Sequence, residues 1–225
     1  MYPIAYEADY ERNPNRVTTF FRYIVAIPWL IVAYVYLIAA FFSHIAAWFA
    51  VLFTGRYPEG LYNFNSGILR YVTRVNSWFS LQTDKWPPFG IGPDPTYPVR
   101  LQVGPRAEKQ SRLKALFRII LIIPALIMVY VVSLVHTGAA FVAWLTIVFR
   151  GYQPAGVHNA LMFTNGYNAR VYGYFGLLTD TYPPVGAEQV QVGDVRPSAP
   201  AAPLPEGQAT STPPSVPQPP EAPTS

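Results

Sequence analysis

The sequence predicts an all-α integral membrane protein built from two tandem repeats, and three observations carry that prediction. Two 31-residue runs, 23–53 and 119–149, contain no Asp, Glu, Lys or Arg. Both exceed the roughly 18–20 apolar residues that mark a membrane helix. Only 12% of the 225 residues are charged, about half the usual share for a soluble domain, which argues against a water-soluble enzyme. Finally, a gap-free shift of 96 residues lays one half of the chain on the other.

In that register Arg16, Phe21, Arg22 and Pro28 fall on Arg112, Phe117, Arg118 and Pro124. Trp48, Gly55, Pro58 and Arg74 fall on Trp144, Gly151, Pro154 and Arg170, and Asp84, Pro87 and Pro88 on Asp180, Pro183 and Pro184. The lead-ins agree with one residue of slippage, Tyr2-Pro3-Ile4 against Tyr97-Pro98-Val99. Such self-similarity marks a duplication. It divides the chain into membrane repeat 1 (1–89), membrane repeat 2 (90–185) and a Pro-rich tail (186–225).

Each repeat reads as four elements. The lead-in alternates apolar and polar residues, as in Val99, Leu101 and Val103 against Arg100, Gln102 and Gly104, which predicts a short extended strand. The charge-free run follows. A Gly- and Pro-punctuated turn comes next, at 54–60 and 151–156. Over 61–82 Phe64, Ile68, Tyr71, Val75 and Trp78 recur every three or four residues, with Asn63, Ser66, Arg70, Arg74 and Ser77 opposite. This predicts an amphipathic helix, repeated near 157–178, lying in the membrane interface with Arg74 and Trp78 at headgroup depth. The alternative is a helix packed on a water-facing core. From Pro197 to Ser225 there are 10 prolines among 29 residues, no aromatic residue and no Lys or Arg. That composition predicts a disordered, solvated tail. The alternative is that its P-x-x-P spacings, Pro200–Pro203 and Pro214–Pro217, which a Pro-rich tail also offers by chance, engage an aromatic groove on a protein partner.

As a helix, a 31-residue run extends about 46 Å, longer than a bilayer core of about 30 Å. Three arrangements fit. A tilted span starts at Pro28, with Arg16–Ile27 along the interface. A tight hairpin turns near Ser43-His44 and near Thr137-Gly138. A single span returns through the amphipathic stretch. One crossing per repeat would invert the two copies. Basic residues flanking both ends of each run, Arg22 and Arg56, Arg118 and Arg150, favour even crossings with both termini cytoplasmic.

The excess of cations, a formal net charge of +4, sits beside the apolar runs, which fits anionic lipid headgroups rather than nucleic acid. With no cysteine the chain offers no disulfide or thiolate site. Its three histidines, His44, His136 and His158, break the repeat register and read as packed residues. Recognisable zinc, P-loop, dinucleotide and nucleophile-elbow motifs are lacking, so neither catalytic residues nor cofactor or metal ligands are assigned. Asp84 and Asp180 each precede an aromatic residue and two prolines, which reads as a helix stop with an interface anchor. Arg22 and Arg118 read as snorkelling anchors. Arg74 with Asp84, and Arg170 with Asp180, keep a ten-residue spacing in both repeats. Pairing across the repeats, Arg74 with Asp180 and Arg170 with Asp84, is the expected use of these groups.

The succession Phe20-Phe21-Arg22, Ile27-Pro28, Ala47-Trp48-Phe49, Leu52 to Pro58, Arg70, Arg74 and Asp84-x-x-Pro87-Pro88-Phe89 resembles a bacterial membrane family known as domain of unknown function 4389. The second copy is looser, with Gln153 in its turn, Gly166 facing Arg70 and Val185 facing Phe89. The resemblance covers about four-fifths of the chain. It implies a bacterial integral membrane protein of the cytoplasmic membrane and supplies no activity. The expected role is a non-enzymatic scaffold or accessory subunit of a membrane complex, in a more specific version membrane-shaping. The alternative is a small transporter or channel with its pathway at the repeat interface.

Overall fold

The computed structural model describes residues 2–185; the tail predicted over 186–225, with its P-x-x-P spacings, lies outside the described residues. Strand β1 (Ile4–Ala8) precedes α1 (Arg16–Val25), α2 (Ile27–Thr54) and α3 (Glu59–Phe79). Strand β2 (Val99–Val103), α4 (Arg112–Leu121), α5 (Ile123–Arg150) and α6 (Ala155–Phe175) repeat the series. Helix starts and stops follow from local chemistry. Asn15 accepts from the Val17 amide and Ser111 from the Lys114 amide, so each short helix begins on a side-chain cap. Pro28 and Pro124 lack the N–H that would bond four residues back, so α1 and α4 end just before them and new helices begin. Gly55 (φ 70°) and Gly151 (φ 79°) close the long helices in the left-handed conformation that glycine adopts without a Cβ penalty.

Helix α2 is continuous through Ser43 and His44, and α5 through Thr137 and Gly138. The tight hairpin is therefore excluded, because every backbone group at those positions has its helical partner and no glycine or proline interrupts 29–53. Instead, α3 runs back along the full length of α2. Trp29 stacks on Trp78, and Tyr36 meets Tyr71 edge-on; near the turn Ala47 and Val51 share a cluster with Tyr57 and Tyr62. In the second copy His136 hydrogen-bonds Thr164 at 2.8 Å, and Ala125 clusters with Tyr174. The middle helices are likewise antiparallel, since Asn76 bonds Asn165 while Gly173 lies against Leu69. Helices α2 and α5 thus run in opposite senses.

The two lead-ins form one antiparallel ribbon, pairing Ile4 with Val103, Tyr6 with Leu101 and Ala8 with Val99. Each strand occupies its repeat's equivalent position, so this register has an approximate twofold axis through the Tyr6–Leu101 pair. The same exchange recurs in the helices: α1 packs on α5, and α4 on α2.

Three layers result. On α6, Met162, Ala169 and Gly173 meet the ribbon, while Leu161, Tyr167, Val171 and Tyr174 lie on the α5 side. On α3, Leu69 and Ser77 meet the ribbon, while Tyr71 and Val75 meet α2. The middle pair α3/α6 is enclosed between the ribbon and the apolar helices. It follows that α3 is a core helix: Ser66, Arg74, Ser77 and Trp78 are all buried. This corrects the expectation that Arg74 and Trp78 reach out to the headgroups from an exposed amphipathic helix, since both side chains are enclosed by protein. Along the face read as polar and solvated, Ser77 lies under Tyr6 of the ribbon and Arg74 under the Gly90 and Gly92 carbonyls, while Asn63 stays exposed.

Candidate functional site

The residues that repeat most faithfully converge on two equivalent clamps. In the first, Arg22 on α1 reaches past the end of α3. Its Nη1 donates to the carbonyls of Trp78 (2.6 Å) and Thr83 (3.1 Å), its Nη2 donates to Asp84, and its guanidinium lies 4.9 Å from the Trp78 ring centre. In the second, Arg118 donates to the carbonyls of Tyr174 and Thr179, pairs with Asp180 at 2.5 Å and lies 4.3 Å over Tyr174. Both arginines are almost fully buried. Burial pushes each guanidinium below its ordinary pKa, and the aspartate partner pulls it back up. The aspartates also accept from the amides of Asn15 and Ser111, the caps of the short helices. Each clamp therefore ties the start of α1 or α4 to the end of α3 or α6.

This geometry revises three sequence expectations. Arg22 and Arg118 are not snorkelling anchors, because their charges are turned inward onto carbonyls and carboxylates. Asp84 and Asp180 do not stop the helices. Helices α3 and α6 end earlier, at Phe79 and Phe175. They are closed by Leu81 (φ 69°) and Leu177 (φ 59°) in the left-handed region, after which the amides of Gln82 and Leu178 bond back to the carbonyls of Ser77 and Gly173. The left-handed leucines are held by Gln153, which donates to the Leu81 carbonyl at 3.0 Å, and by Gln110, which donates to Leu177 at 2.7 Å. Nor do Arg74 and Asp180, or Arg170 and Asp84, pair across the repeats, since each aspartate is held by the arginine of its own repeat. Arg74 instead donates to the carbonyls of Gly90 and Gly92. Arg170 donates through Nε to Gly166 at 3.2 Å, and its equivalents of Gly90 and Gly92, residues 186 and 188, lie outside the described residues.

The other repeated residues join the halves. The Trp48 indole N–H donates to the Ala115 carbonyl at 2.9 Å, and Trp144 stacks on Phe20. Gly55 approaches Arg112 and Gly151 approaches Arg16, each from the opposite repeat. Pro87 accepts from the Trp29 indole at 2.7 Å, which packs Trp86 and Phe89 onto Trp29; Pro88 follows in the same loop. Pro183 and Pro184 follow Tyr182, which packs on Tyr174. Trp86 is thus stacked on protein rings on one side.

Two features lack a sequence signal. One is a central polar network: Tyr6 bonds Ser77 at 2.7 Å and Gln82 at 2.5 Å, and Asn165 links Ser80 with Asn76. Only the packing of ribbon, α3 and α6 brings these groups together. The other is a cleft of about 420 Å³ lined by Thr54, Gly55, Arg56, Lys109, Gln110 and Arg112. At the equivalent corner the Arg16 side chain lies against Gly151, next to Arg150 in sequence, and the Gln153 amide bonds the Arg12 carbonyl. None of these six cations has a carboxylate within ion-pair distance among the described residues. No cluster of metal-ligating side chains occurs among the described residues.

A twofold-repeated, mostly helical protein with two helices long and apolar enough to cross a membrane is the class that this architecture defines. The chain belongs to the family described as "domain of unknown function (DUF4389)", which matches twice, over residues 16–90 and 112–186. Each match begins at the first residue of a short helix and ends just beyond a clamp loop. No curated protein and no solved structure matches the chain.

Proposed function

We propose that this protein is a non-enzymatic scaffold or accessory subunit embedded in the bacterial cytoplasmic membrane, with anionic headgroups meeting its basic corners. One observation carries the reading: α2 and α5 expose apolar side chains along nearly their whole length. Leu30, Ile31, Tyr34, Ile38, Phe41, Phe42, Phe49 and Phe53 on α2, and Ile127, Tyr130, Leu134, Phe141 and Phe149 on α5, are more than a third exposed. Only a narrow stripe of each helix touches α3 or α6. An unbroken surface of this kind is far larger than a soluble monomer tolerates. The two clamps, equivalent in the two repeats, tie helix to helix, which fits a structural role for the residues that repeat most faithfully. Carbonate extraction tests the membrane half, and retention in the pellet is the expected result. Capture from mild detergent with quantitative mass spectrometry tests the accessory half by asking for a stoichiometric membrane partner. Solute flux in proteoliposomes would replace it with the transporter alternative.

A further inference from the structure

We propose that the protein lies flat within one leaflet, with α2 and α5 parallel to the membrane plane, and does not cross the bilayer. The inference rests on the membrane reading above and concerns the surface that meets lipid. If α2 stood upright across the hydrocarbon, α3, packed against it along its whole length, would stand upright beside it. The ribbon would then cross at mid-depth, because Tyr6 lies against Gly166 and Ile4 against Gly173 in the body of α6. Its outer face carries Glu7, Arg100 and Gln102, and Arg100 pairs with Asp9 at 2.7 Å across an exposed surface. Both outer edges of a two-stranded ribbon are open. Lipid-facing charges and open sheet edges are not tolerated in hydrocarbon, where each unpaired backbone group costs several kcal/mol.

Turning the molecule flat removes the conflict. The ribbon then faces water, α3 and α6 form the middle, and α1, α2, α4 and α5 make a single apolar underside. Short helices α1 and α4 add Val17, Phe20, Phe21 and Ile24, and Leu113, Leu116, Phe117 and Ile120, all exposed. One layer of helices is about 10 Å deep, which fits within one leaflet of a core about 30 Å thick. The two corners, where Arg112 meets Gly55 and Arg16 meets Gly151, are related by the approximate twofold axis, and each adds cations of its own, Arg56 and Lys109 at one, Arg12 and Arg150 at the other. Flat, that axis is normal to the membrane, and both corners meet the headgroups of the same surface. Upright, they would sit on opposite surfaces. The partner is therefore a single lipid leaflet with anionic headgroups.

The full chain, which has no native cysteine, is reconstituted in phosphatidylcholine vesicles containing phosphatidylglycerol. Single cysteines at Glu59 and Ala155 mark the distal ends of α2 and α5, and Leu30→Cys, Ile38→Cys and Phe53→Cys carry a fluorophore along α2. Expected is labelling of Glu59→Cys and Ala155→Cys by an impermeant maleimide from the same side. Lipids brominated at a shallow acyl position should quench all three α2 sites alike. Deep quenching confined to Ile38→Cys, with labelling of the two distal sites from opposite sides, would overturn the flat seat and leave the membrane reading intact. Protein that fails to float with the vesicles would overturn both.

Discussion

Arg22 and Asp84 stand 62 residues apart, and so do Arg118 and Asp180. Each arginine is buried with its guanidinium spread over two carbonyls and a carboxylate. Removing the aspartate leaves a desolvated charge, a cost of about 3–5 kcal/mol, whereas both partners lost together leave less unpaired. Asp84→Ala and Arg22→Ala should each lower the melting temperature in detergent strongly, and the double variant should be no worse than the harsher single one. Additive losses would mean that the pair is not coupled. Arg74→Ala combined with Asp180→Ala, which share no contact, should be additive in the same assay. A second expectation concerns His158, buried on α6 beside the Tyr10 ring. Burial lowers its pKa from the usual 6.5, with the Ala8 backbone and Asp9 opposing. The folded state thus favours neutral imidazole. Its stability contribution is complete above the ordinary imidazole pKa and is lost as pH falls from there through the depressed value. Melting curves of His158→Gln should fall less between neutral and mildly acidic pH than those of the parent.

Glycines in the helices separate close packing from local preference. A Cβ on Gly173 would collide with Ile4 and crowd Leu69, whereas one on Gly138 meets nothing. Gly173→Leu should force the ribbon off α6 and lower the melting temperature by several degrees, while Gly138→Ala should be neutral or raise it, since alanine is favoured in a helix interior by about 1 kcal/mol. Equal effects at both sites would mean that the ribbon does not sit tightly on α6. Much of this element layout was legible beforehand. One of the three arrangements began the span at Pro28, the 96-residue register placed the long apolar helix and the helix after it twice, and the alternation at 99–104 located β2. Apart from that arrangement, the short helices α1 and α4 were not separated from the apolar runs. What the pattern misjudged was the environment of α3, because a polar helix face whose groups bond to other parts of the protein, as Ser77 does to Tyr6 and Arg74 to the Gly90 carbonyl, has the same periodicity as a solvated one. The clamps were missed for a related reason. The register preserves the 62-residue spacing of Arg22 and Asp84 as faithfully as the ten-residue spacing of Arg74 and Asp84, and only the return of α3 along α2 decides between them. The pairing of the two lead-ins left no trace in the sequence, since a strand does not declare its partner.

The exchange of elements between halves bears on how the molecule came together and how it comes apart. Each repeat packs its long helix on its own returning helix but leaves the rest of its core to the other half. Each lacks a strand for its ribbon, each presents its short helix to the other's long helix, and Asn76 and Asn165 meet across the twofold. A lone two-stranded or single-strand element is marginal in water, and a lone repeat would leave one face of α3 or α6 bare. The register is nevertheless self-complementary: β1 could pair with a second β1 in the arrangement that it adopts with β2. Residues 1–98 expressed alone should therefore form a twofold dimer in detergent, with each short helix lying on the partner's long helix. Light scattering on the purified fragment reads the mass directly, and Trp48→Phe, which removes the indole hydrogen bond to the neighbouring short helix, should shift it toward monomer. A stable, folded monomer of residues 1–98 would show that each repeat closes its own core and that the exchange seen in the full chain is dispensable.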